Sequence, residues 1–167
     1  VDPNRDVLVP EDVGIWKVDL ATGKRTLLVS IADAARIPYP GGYSNNAKHW
    51  FNHLLVSPDG SRFIFLHRWR GDKEKTSFST RMFTARASDG KDLYILDPAG
   101  RTSHFIWRDP KNVLAWAWHK SHGDKFYLFR DKSEQVDVVA PDTMTVNGHC
   151  TYLPQEKGMR WILNDTY

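Results

Sequence analysis

AKHWFNHLLVSPDG, residues 47–60, carries two histidines, His49 and His53, at the four-residue spacing of a zinc-binding helix. A zincin helix needs a glutamate beside its first histidine to serve as general base, and Trp50 stands in that place. The segment also runs straight into LLVSPDG, an apolar run closed by a turn sequence, so a helix has little room. Read as a strand, it sets residues four apart on one face but about 13 Å from each other. Metal–nitrogen bonds of roughly 2 Å cannot span that gap, so the pair is not a metal site. His49 is then expected to be a surface or loop residue, and His53 belongs to a strand.

The rest of the chain follows the same pattern. Short runs rich in Val, Ile, Phe, Tyr and Trp alternate with turn dipeptides: 14–20 and 25–30, 53–57 and 62–69, 81–87 and 92–97, 104–107 and 113–118, 125–131 and 135–139, 149–153 and 160–164. Only IADAARI, 31–37, has helical character, and the two prolines and two glycines of 37–46 predict a loop. SPDG at 57–60 and SDG at 88–90 are turn sequences with a structural purpose.

Three segments superpose: NHLLVSPDGSRFIFL from Asn52, SHFIWRDPKNVLAWA from Ser103 and GHCTYLPQEKGMRWIL from Gly148. Each reads as histidine, four residues, a turn, then a strongly apolar strand. The anchors His53, His104 and His149 are separated by 51 and 45 residues, with four strands between successive anchors. Four strands in about 40–50 residues is the size of a β-propeller blade. The expected fold is therefore all-β, a single partial propeller domain over 1–167 of about three four-stranded antiparallel blades. It begins with the outer strands of one blade (14–30), continues through two full blades (50–98 and 102–140), and ends on the inner strands of the next (149–164). Closed propellers have about four to eight blades, so the chain is expected to be part of a larger propeller or to close by association through its open blade edges. A β-sandwich has a similar strand count but leaves the shared histidine register unexplained.

Composition narrows the function classes. The 167 residues are 41% hydrophobic and 13% aromatic, enough for one folded core. The net charge of +3 comes from dispersed residues, and the one dense basic run, 67–75, also holds Asp72 and Glu74, which gives no support to nucleic-acid binding. The single cysteine, Cys150, excludes an internal disulfide and a CxxC site, and is expected to be a small buried hydrophobe. No run approaches the roughly 18 apolar residues of a membrane-spanning helix. The polar start lacks an initiator methionine and reads as trimmed from something longer, which leaves the compartment open between a bacterial-type cytoplasm and a periplasm. No GxSxG nucleophile motif is present.

Two groups of residues carry candidate chemistry. In a propeller the first strand of each blade lines the central channel, so His53, His104 and His149 would form an arc there, able to bind a divalent metal or supply a base. Their structural alternative is to pin neighbouring turns by hydrogen bonds. In LHRWRGDKEKTSFSTR, 66–81, His67 is a further candidate for the channel wall, and Arg68 and Arg70 near Trp69 are suited to an anionic sugar through bidentate pairing and stacking. The alternative there is a solvated loop. Trp107, Trp116, Trp118 and Trp161 are expected to pack between blades, with Trp116 and Trp118 on one strand face.

The order of these motifs resembles the oligogalacturonate lyase family within the TolB-like propellers. The likeness runs over roughly 50–167, through His53 and SPDGSRFIFLHRW, TRMFTARASDGKDLYIL, SHFIW and NGHCTY. It implies a seven-bladed propeller that cleaves oligogalacturonides by β-elimination with a divalent metal, typically manganese. By that likeness His53 matches the region of the base and His104 the metal-ligand histidine of a THEFW-like motif. His149 matches a strand without an assigned role. The family's remaining ligands, in a QxxHxH segment, would fall beyond Tyr167, so the metal site would be incomplete in this chain. Arg36 is the one arginine in the nearby upstream loop and matches the family's catalytic arginine poorly. The implied partner is an acidic oligosaccharide, and the alternative is a non-catalytic propeller serving as a binding or interaction scaffold.

Overall fold

The computed structural model describes residues 3–74, 76–153 and 158–165. Four antiparallel sheets, none of them closed, make the fold all-β. β1 (Gly14–Val18) pairs with β2 (Arg25–Ser30). β3 (Lys48–Val56), β4 (Arg62–Arg70), β5 (Ser79–Arg86) and β6 (Tyr94–Asp97) form a four-stranded meander. β7 (Phe105–Asp109), β8 (Asn112–His119), β9 (Gly123–Arg130) and β10 (Val136–Val138) form a second. β11 (Cys150–Tyr152) and β12 (Ile162–Asn164) make the last pair. The sheets thus occupy 14–30, 48–97, 105–138 and 150–164. Most of the PQEKG turn, at 154–157, lies outside the described residues.

Local chemistry sets the boundaries. In the SPDG turn, Ser57 Oγ donates to Asp59 and accepts the Arg62 amide, which closes the β3–β4 hairpin. The helix α1 (Ile31–Arg36) starts on a capping box: Ser30 Oγ accepts from the Asp33 amide, and Asp33 accepts from the Ser30 amide. Residues 37–46 form a loop, as their prolines and glycines require.

β4 explains the stacking. Its sequence RFIFLHRWR buries both faces, because a sheet lies on each side. Phe63 and Phe65, with Phe83 and Ala85 of β5, pack against Ile15, Val29 and Ala34 of the first sheet and α1. Ile64, Leu66 and Met82 point the other way, into Trp107, Val113, Ala115, Ala117, Tyr127 and Phe129 of the third sheet. β11 lies against β7 and continues the stack. Of the four tryptophans expected between sheets, Trp107 is buried and Trp116 is half-buried. Trp118 and Trp161 are exposed, which corrects that expectation: the neighbouring β11–β12 pair has only two short strands to lay against the sheet of Trp118, and Trp161 belongs to that pair itself.

Candidate functional site: a row of imidazoles beside Arg68

β3 begins at Lys48, five residues before the predicted start, so both histidines of the opening stretch are in one strand. They do not share a face. Asn52 pairs with Leu66 and Leu54 with the next residue, Phe65, which leaves His53 as an extra residue in a β-bulge. Its φ of 48° is left-handed, and Asn52 Oδ1 accepts its amide. The bulge turns His53 out of the strand's alternation while His49 points inward.

The three repeat histidines converge. His104 directly precedes β7 and His149 directly precedes β11, so each stands at or next to the first strand of its sheet, as His53 does. The His53 and His104 ring centroids are 6.1 Å apart, and those of His104 and His149 are 4.1 Å apart. Each outer ring nitrogen has a local anchor. His104 Nδ1 lies 3.0 Å from Asn147 Oδ1, and His149 Nδ1 lies 2.9 Å from Asp165 Oδ2. The Asp165 carboxylate also accepts the His149 amide and is held below the usual carboxylate range, chiefly by the imidazole hydrogen bond.

His53 is pushed below the ordinary imidazole range, first by burial and then by Arg68, His104 and His149. It is therefore a neutral ring at neutral pH. Arg68 is half-buried, its guanidinium carbon 4.7 Å from the centre of the Phe78 ring, and burial lowers its pKa too. Its Nε is buried without a hydrogen-bond partner among the described residues. Arg70 lies two residues on, with its guanidinium carbon 5.9 Å from the Trp50 ring centre.

Among the described residues, no three His, Cys, Asp or Glu side chains are grouped to hold a metal ion. The imidazole row, as placed, does not fit a metal by itself.

His67 does not join the row. It is fully buried on the other face of β4, within a polar cluster that sequence reasoning missed. His49 Nδ1 and His67 Nε2 are 2.8 Å apart, and Arg81 Nε donates to His67 Nδ1 at 3.2 Å. The arginine donor fixes the tautomers: His67 accepts at Nδ1, carries its proton on Nε2, and donates it to His49. The rest of the Arg81 guanidinium donates to the carbonyls of Ala34, Ile37 and Pro38 and to the Tyr43 hydroxyl. His49 is thus 3% exposed rather than a surface residue, and His67 is fully buried. The missed signal was two histidines alternating with aromatics on one face of two paired strands, His49 with Phe51 on β3 and His67 with Phe65 and Trp69 on β4. Arg36 stands apart from both clusters, exposed and paired with Glu11 and Asp33.

No protein-family model, no curated protein and no solved structure matches the chain. The likeness to oligogalacturonate lyases rests on its sequence motifs alone.

Proposed function

We propose that the chain is a run of β-propeller blades whose first strands line a channel, and that its imidazole row with Arg68 binds and cleaves uronic-acid oligosaccharides by β-elimination. The observation that carries this reading is the convergence of His53, His104 and His149 beside a half-buried arginine with an unpartnered Nε. The propeller part is supported by four antiparallel sheets stacked face to face in sequence order.

The chemistry needs two things that this site can offer. A uronate carboxylate must be neutralised to acidify the C–H beside it, and a neutral base must take that proton. Arg68 supplies the cation in a partly desolvated setting, where a carboxylate gains most from pairing, and Arg70 extends the cationic strip. His53, held neutral, accepts the proton from the carbon next to the carboxylate. The C–H electron pair becomes the new carbon–carbon double bond. The glycosidic oxygen leaves and takes a proton from solvent or from a neighbouring imidazole.

A second reading has its own observation. The His104–Asn147 and His149–Asp165 hydrogen bonds tie each histidine to a nearby loop, as turn-pinning residues of a scaffold would be tied. Ultraviolet absorbance of the unsaturated uronate product, followed with digalacturonate, separates the two. The lyase reading expects a signal that falls about 10²–10⁴-fold in His53→Ala. It expects weaker uronate binding in Arg68→Gln. Absence of product with any uronate oligomer, together with unchanged sugar binding in both variants, would sink it.

A further inference from the structure

The two faces of the β3–β4 hairpin point at different neighbourhoods. Alternation sends His49, His67 and Trp69 to the Arg81 cluster. It sends Trp50 and Arg68, which pair across the strands, and Arg70, opposite Lys48, to the other face. That face carries Ile64 and Leu66 into the core shared with the third sheet. The strands outrun this cover: Ile64 and Leu66 are fully buried, Trp50 and Arg68 are half-buried, and Arg70 is exposed.

Phe78, just ahead of β5 and 45% exposed, lies across the same end of the sheet. Its ring centre is 4.7 Å from the Arg68 guanidinium carbon and 5.8 Å from the Trp50 ring, the two ring planes meeting at 66°. Trp50 in turn stands 5.9 Å from the Arg70 guanidinium carbon. The four side chains form a strip in the order Arg68, Phe78, Trp50, Arg70. Its Arg68 end adjoins the imidazole row, close enough for the arginine charge to act on His53. Asp72 and Glu74, which follow β4, are engaged by Asn46 and Ser44.

The composition of the strip selects a ligand class. A pyranose uronate has an apolar face of C–H groups and a charged edge. An aromatic ring suits the first and a guanidinium the second. A neutral sugar engages only the rings and a small anion only the arginines, whereas an acidic oligosaccharide uses both in alternation. At a strand rise of about 3.3 Å per residue, Arg68 and Arg70 are about 7 Å apart along β4, so they meet the carboxylates of different sugar residues.

We propose that Phe78, Trp50 and Arg70 form a second uronate subsite, and that an oligomer runs from His53 toward the start of β3. Phe78 and Trp50 receive the C–H face of the sugar beyond the one held at Arg68, and Arg70 pairs with its carboxylate. The inference rests on the reading of His53 and Arg68 as a uronate site and adds the direction and length of the ligand.

Calorimetric titration of the 167-residue chain with di-, tri- and tetragalacturonate tests it, in a His53→Ala background that keeps the ligand intact. Affinity should rise at least about tenfold from the dimer to the tetramer, and Trp50→Ala should remove most of that gain. Phe78→Ala, at an exposed position outside the core, should reduce the gain too, and Trp50→Tyr should restore part of it. Trp118→Ala, an exposed tryptophan of the third sheet, should leave the gain intact. Fully methyl-esterified tetragalacturonate should bind at least about tenfold more weakly than the free acid. A Trp50-dependent gain from a chain whose wild type releases no unsaturated product would support the subsite while defeating the lyase chemistry. Product from digalacturonate with equal affinity for all lengths would leave that chemistry standing and overturn the subsite. A gain indifferent to Trp50 and Phe78, equal binding of the methyl ester, or no binding of any oligomer would overturn it as well.

Discussion

A buried arginine with no carboxylate paired to it among the described residues is the least expected feature of this chain. Arg81 is fully buried, and its charge is met by three backbone carbonyls, a tyrosine hydroxyl and the faces of Tyr43, Trp69 and Phe83. Both histidines of the cluster pay for that neighbour. Burial, then the Arg81 charge, lowers His49 to about 4; burial, Arg81 and His49 together lower His67 to about 2. Each ring therefore takes up a proton more readily in the unfolded chain, whose imidazoles titrate near 6.5. Their contribution to stability is complete above about pH 6.5 and is lost as the pH falls toward 4, with a slope of up to about 1.4 kcal/mol per pH unit for each ring. Urea unfolding between pH 7 and 4.5 should show this loss. His49→Gln, which keeps an acceptor for His67 but cannot be protonated, should remove about half of the slope.

At the scale of elements, two turns with the same Asp-Gly sequence have different burdens. Gly60 and Gly90 both sit at a φ of +72°, where any side chain costs about 1–2 kcal/mol. A Cβ on Gly60 would meet nothing within 4 Å, whereas one on Gly90 would stand 2.1 Å from the Leu28 carbonyl oxygen. Gly60→Ala should therefore cost only the backbone term, and Gly90→Ala clearly more, since the β2 backbone must shift. Paired denaturant midpoints check the order. The turns themselves were legible, because Pro, Asp and Gly act locally and the strands between them are strongly apolar. The start of β3 was not. KHWFNHLLV shows no clean alternation, since His49 is a buried polar residue and the bulge at His53 resets the period. The row formed by His53, His104 and His149 was legible, because a repeated register becomes a spatial neighbourhood once sheets stack. The Arg81 cluster was not, because its members come from β3, β4, β5 and the 37–46 loop and share no sequence period.

Across the whole molecule, the second and third sheets behave as one body. Trp107 is buried in their shared core and donates its indole N–H to the Leu55 carbonyl of β3. Beside the β3–β4 turn, at the same end of these strands, Arg62 pairs with Asp92 and Asp131, while Thr84 donates to Asp131 and Lys132 reaches Asp92. Removing the tryptophan opens the core and removes a hydrogen bond to β3 at once. Trp107→Ala should cost about 3–5 kcal/mol. Near-ultraviolet and far-ultraviolet dichroism should still melt together, because both sheets lose the same support.

The bulge in β3 has a consequence for how the imidazole row can change over generations. His53 is the one position of that strand that the ladder does not count: Asn52 and Leu54 already occupy consecutive pairing places opposite Leu66 and Phe65. Loss of the His53 codon would leave every neighbour on its present face and only straighten the strand. Loss of either adjacent codon would force the bulge to move or half the strand to turn over. The imidazole sits where the chain can gain or drop it without renegotiating the sheet, so chemistry at this point is separable from folding.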